Sequence, residues 1–367
     1  MNTRPLVIIT TRLPPQVCGI GTYSWLLHRH WPFHNPQIEF LVVSGAAQSA
    51  AAVGHRAISE FNAKAGKFSR QLGRFGPANV LLHYAGRAYH RYGCPVWLPA
   101  VLGKWKARFP AGHLVIFFHE LPGDFPVTSR HFWIDICNRL IIRKLTALAD
   151  AIATNTNEHV KQIEKISGRR DAHLIPVGSN IETTGNVFAK RARTEFALFG
   201  LPFGRWQTLQ MFDQEIRSWQ KSEYLTKLHL IGPRDGKFDL RSDQLVAGWP
   251  NPGIVVRHGL LPSPEVSRLL ARVQFGLTNA TMENWSKSTA FMAYATHGCA
   301  VVGRMMSDSE PLRFTVSPEE VPTISDVDLT RRTQSLRKWY DENADWNVLA
   351  RKVSALFSTT VRQEAMT

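Results

Sequence analysis

The chain has 367 residues, 44% of them hydrophobic and 20% charged, the composition of a globular chain long enough for two ordinary domains. Its four cysteines (Cys18, Cys94, Cys137, Cys299) never form a CxxC pair, which argues against a zinc site or disulfide framework and for reduced thiols in the cytoplasm. No apolar stretch approaches the ~20 residues that span a bilayer, and the five-residue apolar run before Thr10 reads as a first strand, not a signal peptide.

The formal net charge of +15 is unevenly placed: residues 1–180 hold 7 Lys and 14 Arg against 9 acidic residues, which is +12 of the total. The N-terminal half therefore expects an anionic partner, either an acidic or pyrophosphate-linked substrate or an anionic membrane surface. Nucleic acid ranks last, because no RRM, KH, zinc-finger or helix-turn-helix pattern is present.

In chain order, 5–11 is strand one, and the loop after it opens into a helix near Thr22. Gly19 and Gly21 let backbone approach a ligand there, and Thr22 is a cap for that helix; a tight turn with no ligand is the competing reading. Strand two is 38–43, and 44–75 reads as an exposed helix. Residues 79–83 form a strand followed by a run rich in His, Tyr and Arg. His83, Tyr84, Arg87 and Arg91 of that run suit a sugar or lipid headgroup, or else tolerate half-burial. Trp97, Leu98, Val101, Leu102 and Trp105 recur at helical spacing. The apolar strand 114–118 ends at His119 and Glu120, a titratable pair at the place where α/β sheets do chemistry; a strand-end histidine without a ligand is the alternative. The loop 121–133, with Phe125 and Arg130, reads as a mobile acceptor-side loop. Residues 135–148 are an amphipathic basic helix, 149–154 a strand and 157–165 a helix entered through Thr and Asn caps. Composition places a linker near 180–192.

The second half repeats the pattern: strands at 194–199, 228–231 and 254–257, a helix over 212–219, and a helix start at Ser263-Pro264. The most informative stretch is 273–302: an apolar strand, a polar loop, an Ala-rich helix closed by Gly298 and a further strand. Its loop offers Glu283, Lys287, the hydroxyls of Ser286, Ser288 and Thr289, and helix-entry amides, a set that suits a sugar and a diphosphate together. The DxD at Asp326–Asp328 lies in a Pro-flanked stretch and reads as a loop without metal. Residues 329–357 are helical and the last ten frayed.

This stretch resembles the C-terminal motif of the retaining glycosyltransferases of family 4, in the GT-B superfamily. That motif is Glu, seven residues, Glu, and a helix ending at Gly before an apolar strand. Glu283 matches the first acid; the second falls on Phe291 in one register and on Ala293 in the other. The resemblance extends to Gly-Ile-Gly-Thr-Tyr at 19–23 and to His119. It implies an α/β fold of GT-B architecture, with two Rossmann-like domains facing a central cleft. The acceptor-side domain would be 1–185, the nucleotide-sugar domain 186–340, and 341–367 a helix packing back on the first. The implied activity is a retaining, metal-independent hexosyltransferase with His119, Glu120 and Glu283 catalytic. The donor would be held by Gly19, Gly21, Thr22, Arg205, Lys287, Ser286, Ser288 and Thr289, and the acceptor by His83, Tyr84, Arg87 and Arg91. No cofactor is implied beyond a nucleotide-diphosphate sugar as co-substrate. The other partner is a saccharide or lipid-linked acceptor in polysaccharide or glycolipid synthesis, met in the cytoplasm or peripherally on the inner face of the plasma membrane. A sugar-nucleotide epimerase and a non-catalytic partner subunit remain open beside it.

Overall fold

The computed structural model describes residues 4–14, 16, 18–32, 37–43, 58–61, 65–123, 127–184 and 191–358. Residues 44–57 of the helix expected over 44–75, Phe125 of the acceptor-side loop, the centre of the expected linker and the expected frayed tail lie outside them. The chain divides into two compact units, 1–176 with 346–367, and 177–345.

The first unit runs β1 (Leu6–Thr10), α1 (Gly19–Arg29), β2 (Ile38–Val43), β3 (Ile58–Phe61), α2 (Ala65–Gly73), β4 (Asn79–Tyr84), a short α3 (Gly86–Tyr89), α4 (Trp97–Arg108), β5 (His113–Phe118), α5 (Arg130–Leu148), β6 (Ala151–Thr154), α6 (Asn157–Ser167) and β7 (His173–Leu174). Its seven strands are ordered β3-β2-β1-β4-β5-β6-β7, all parallel. The runs LVIIT, NVLLHY and HLVIFF are buried along their whole length, as strands must be when helices cover both faces of a sheet. Two expectations need correction: 58–61 forms an inserted strand, and the helix over 65–73 buries Phe68 and Leu72 instead of lying wholly exposed.

The second unit holds β8 (Ala192–Phe199), α7 (Pro202–Met211), α8 (Asp213–Lys221), β9 (Lys227–Ile231), α9 (Gly236–Ala247), β10 (Val255–Gly259), α10 (Ser263–Arg272), β11 (Val273–Leu277), α11 (Thr289–His297), β12 (Ala300–Val302) and α12 (Asp326–Asn343). Its parallel strands are ordered β10-β9-β8-β11-β12. The Asp326–Asp328 pattern is the first turn of α12, not a loop: Ser325 caps it, and Asp328 pairs with Arg331 and Arg332. The final helix, α13 (Trp346–Ala355), belongs to the first unit, where Trp346 packs edge-on against Tyr23 of α1.

In each sheet the winding reverses once, between β1 and β4 in the first unit and between β8 and β11 in the second. The loops leaving the carboxyl ends of such a strand pair diverge, and open α/β sheets bind their ligands there.

Candidate functional site

In the first unit the reversal point collects the loop after β1 and the end of β4. Gly21 sits in the second position of its pair because α1 presses on the preceding loop. A Cβ there would lie 1.5 Å from the Arg12 carbonyl oxygen, whereas one at Gly19 would meet nothing within 4 Å. Thr22 is not a cap: it lies inside α1, and its N–H donates to the Cys18 carbonyl (2.9 Å). Cys18 holds the cap position without a side-chain bond into the helix, its thiol lying 3.0 Å from the Thr11 hydroxyl.

One strand over, β4 and β5 place two imidazoles side by side. His83 Nδ1 and His119 Nε2 are 2.8 Å apart, both rings are buried, and His119 stacks on Phe117. His83 thus faces the core, whereas the sequence suggested an acceptor-side position. Burial, then the neighbouring imidazole, holds its pKa well below that of a free histidine, so the ring is neutral. His83 Nε2 is buried and has no partner among the described residues. One of the two rings donates across this contact and the other accepts.

Tyr84, Arg87 and Glu120 line one pocket of this unit, with Tyr84 buried and the other two exposed. Arg91 lies apart, exposed, its guanidinium 4.4 Å from the Tyr92 ring centre.

In the second unit Arg205 stands on α7, beyond the end of β8, but not as an open cation. It is 6% exposed; Nη1 donates to the Gly200 carbonyl (2.5 Å) and Nη2 to that of Pro233 (2.7 Å). It ties together the loops that leave β8 and β9 through those carbonyls, a structural role beside the diphosphate contact expected of it.

The loop from Thr278 to Ser288 follows the predicted form closely. Asn284 accepts from the Thr281 N–H (2.9 Å), Thr278 from Ala280 (3.1 Å), and Asn279 donates to Gln207 on α7 (3.2 Å). Glu283 and Lys287 are exposed. The Thr281 hydroxyl holds the Glu283 carboxyl below the usual carboxylate range. Ser288 caps α11 by accepting from Phe291 (3.2 Å), Thr289 is the first helical residue, and Gly298 closes the helix at φ 68°. Ser286 is buried, its carbonyl accepting from the Val177 N–H (2.9 Å). Of the loop's chemistry, the acid and the lysine are open to a ligand, and Ser288 is engaged as a cap.

Phe291 and Ala293, the two positions where the family motif would place its second acid, are fully buried. A carboxylate at either would be stranded in the core. The residue that sequence reasoning missed is Tyr294. Its ring lies over Gly276, where a Cβ would come within 2.5 Å. Its hydroxyl accepts from the Phe199 N–H (2.8 Å) and donates to the Leu277 carbonyl (3.1 Å), joining the ends of β8 and β11.

No family model matches the chain, and no curated protein sequence does. Solved structures do. A sucrose-phosphate synthase from Thermosynechococcus elongatus superposes with a TM-score of 0.72 at 12% identity, covering 98% of this chain and 100% of that one. An α,α-trehalose-phosphate synthase (UDP-forming) from Burkholderia xenovorans, in complex with glucose-6-phosphate, gives 0.65 at 8% identity over 96% and 99%. A lipopolysaccharide outer core galactosyltransferase gives 0.58 at 16% identity over 97% and 99%. At these identities the likeness is one of architecture: the chain has the GT-B fold, with two Rossmann-like units in one polypeptide.

Proposed function

We propose that this protein is a retaining glycosyltransferase moving a sugar from a nucleotide-diphosphate donor to a saccharide or lipid-linked acceptor. The observation that carries the reading is the likeness, over nearly the whole chain, to enzymes named for sugar transfer. The chemistry at the reversal points supports it. The second unit is the nucleotide-sugar side: Glu283 orients the donor sugar, while Lys287 and the amides entering α11 stabilise the departing diphosphate, with no metal needed for that charge. The first unit is the acceptor side, with His119 at the end of β5 hydrogen-bonding a sugar hydroxyl. Retention follows if attack and departure share one face, the leaving phosphate taking the acceptor's proton.

Attachment to the inner face of a membrane is supported by α5. Trp133, Ile136 and Leu140 recur at helical spacing on its exposed side, 67%, 36% and 56% exposed. Arg139, Arg143 and Lys144 share the helix, the pairing of apolar and basic side chains that anionic lipid surfaces attract. No described helix is long and apolar enough to cross a membrane.

The test is a thermal-shift screen of nucleoside diphosphates followed by a transfer assay with the nucleotide sugar that binds. A nucleotide bound by the folded state raises the melting midpoint; no shift with any of them rejects the reading. The buried Phe291 and Ala293 favour one second reading, a non-catalytic partner subunit. Nucleotide binding without transfer or hydrolysis would select it.

A further inference from the structure

Beyond the ends of β4 and β5, entirely inside the first unit, lies a pocket of about 220 Å³. Tyr84 forms part of its wall, and α5 contributes Asp135, Asn138 and Ile142, spaced three and four residues apart on one face. Glu120 and Arg87 stand beside them, both exposed. Two polar atoms here are buried without a hydrogen-bond partner among the described residues, the Tyr84 hydroxyl and Asn138 Oδ1. Tyr84 is 1% exposed, and burial, followed by the nearby Cys94 and Cys137 thiols, raises its pKa, so the phenol keeps its proton. Folded proteins pair nearly all such atoms, and those left over mark a strained or ligand-binding place.

Sugar hydroxyls can answer both kinds of atom, one donating to an oxygen such as Asn138 Oδ1 and one accepting from a phenol such as that of Tyr84. The volume lies below the roughly 300–1,000 Å³ of pockets that take drug-sized ligands, which suits one ring better than a nucleotide. The charges lining it decide what kind of ring. Asp135 is buried with Arg139 Nε 3.4 Å from its carboxylate, so this pair is internally matched. Among the described residues that line it, what remains is the Glu120 carboxylate and the Arg87 guanidinium, so this described lining offers a phosphate as much negative charge as positive. In the half of the chain that carries most of the positive charge, the described lining of this pocket has no surplus of it.

We propose that the pocket seats one uncharged sugar ring and disfavours a phosphorylated one. Its identity as the acceptor of the transfer rests on the function proposed above, while the binding itself does not. The experiment is saturation-transfer NMR on the full chain. The probes are methyl glycosides of glucose, galactose, mannose and N-acetylglucosamine, with glucose 6-phosphate as comparator, and the proteins are wild type, Tyr84→Phe and Asn138→Leu. At least one glycoside should give a signal that falls fivefold or more in each variant, while glucose 6-phosphate gives none that depends on these residues. Without sugar, both variants should melt at or above the wild-type midpoint, because each loses a buried unpaired polar atom.

Absence of any glycoside signal, equal signals in all three proteins, or a variant-sensitive signal from glucose 6-phosphate would each overturn the proposal. Variant-sensitive glycoside binding in a protein that binds no nucleoside diphosphate keeps the pocket and removes the transferase reading. The reverse pattern removes the pocket alone.

Discussion

His83 Nδ1 lies 2.8 Å from His119 Nε2, and this contact holds the orientation of the His119 ring. His83 is therefore a positioning residue, acting through its neighbour. His83→Phe should keep the packing against Tyr23 and Phe117 but lose the hydrogen bond to His119. It should cost about 1–3 kcal/mol of stability and lower transfer about tenfold at unchanged nucleotide affinity. His83→Gln, which restores a hydrogen-bonding group, should recover part of the rate. If Phe and Gln variants transfer as fast as wild type, His119 needs no such support.

A second histidine makes stability depend on pH. His297 donates from Nδ1 to the Ala293 carbonyl (2.7 Å) and accepts at Nε2 from the Ser267 hydroxyl (2.9 Å). Burial, only partly offset by the bond to Ala293, lowers its pKa from 6.5 to about 4. The folded state resists protonation while the unfolded state accepts it, so the contribution is complete above pH 6.5 and is lost as pH falls from there toward 4. The loss reaches about 3 kcal/mol, with a slope near 1.4 kcal/mol per unit. His83, His113, His229 and His258 are shifted in the same direction and add to it. Urea midpoints at pH 7.5, 6 and 5 should fall in that order, with a shallower fall in His297→Gln. A flat series would show these rings to be protonated in the folded protein.

Glu283 and Lys287 separate sugar from phosphate. Glu283→Ala should reduce transfer tenfold or more with little change in nucleoside diphosphate affinity, because its proposed contact is to the sugar. Lys287→Ala should weaken that affinity severalfold, as loss of one charge-assisted contact does. Both side chains are exposed, so neither change should shift the melting midpoint appreciably. Isothermal titration with UDP and GDP beside a rate assay distinguishes them; wild-type rates in Glu283→Ala would take that residue out of the site.

Arg205 should behave in the opposite way. Arg205→Ala releases two buried carbonyls and should destabilise the second unit by about 2–4 kcal/mol, read in urea. A variant as stable as wild type that has lost nucleotide affinity would return Arg205 to the diphosphate.

The two glycines after β1 make a further pair. Gly21→Ala drives a methyl into the Arg12 carbonyl and should cost about 3 kcal/mol or more, whereas Gly19→Ala has open space. Any loss of ligand binding in Gly19→Ala is then a matter of the ligand and not of folding. Equal melting of both variants would show that α1 shifts freely over the loop.

Periodicity made most of the architecture readable. The short apolar runs of β1, β4, β5 and β11 need both faces covered, and Gly298 has the left-handed conformation that its place after an Ala-rich helix implied. The α9 helix was missed although Asp235 caps it with two bonds to the Lys237 and Phe238 amides; its apolar residues are few and its partners lie elsewhere in the chain. The burial of Arg205 against backbone carbonyls was not legible for a related reason: one of its partners is 28 residues away, across a strand. That Asn138 and Tyr84 are unpaired is a property of the folded surroundings, and no local spacing encodes it.

The placement of α13 has a consequence for biosynthesis. Trp346 packs on Tyr23, and Phe357 meets Trp31 and His113, so the first unit takes its closing helix from a segment translated after all of the second. The second unit is complete in the nascent chain while the first, begun earlier, still exposes one flank of α1. The unit whose residues emerge first is the one finished last, and a ribosome stalled before Trp346 would hold it open to chaperones and proteases.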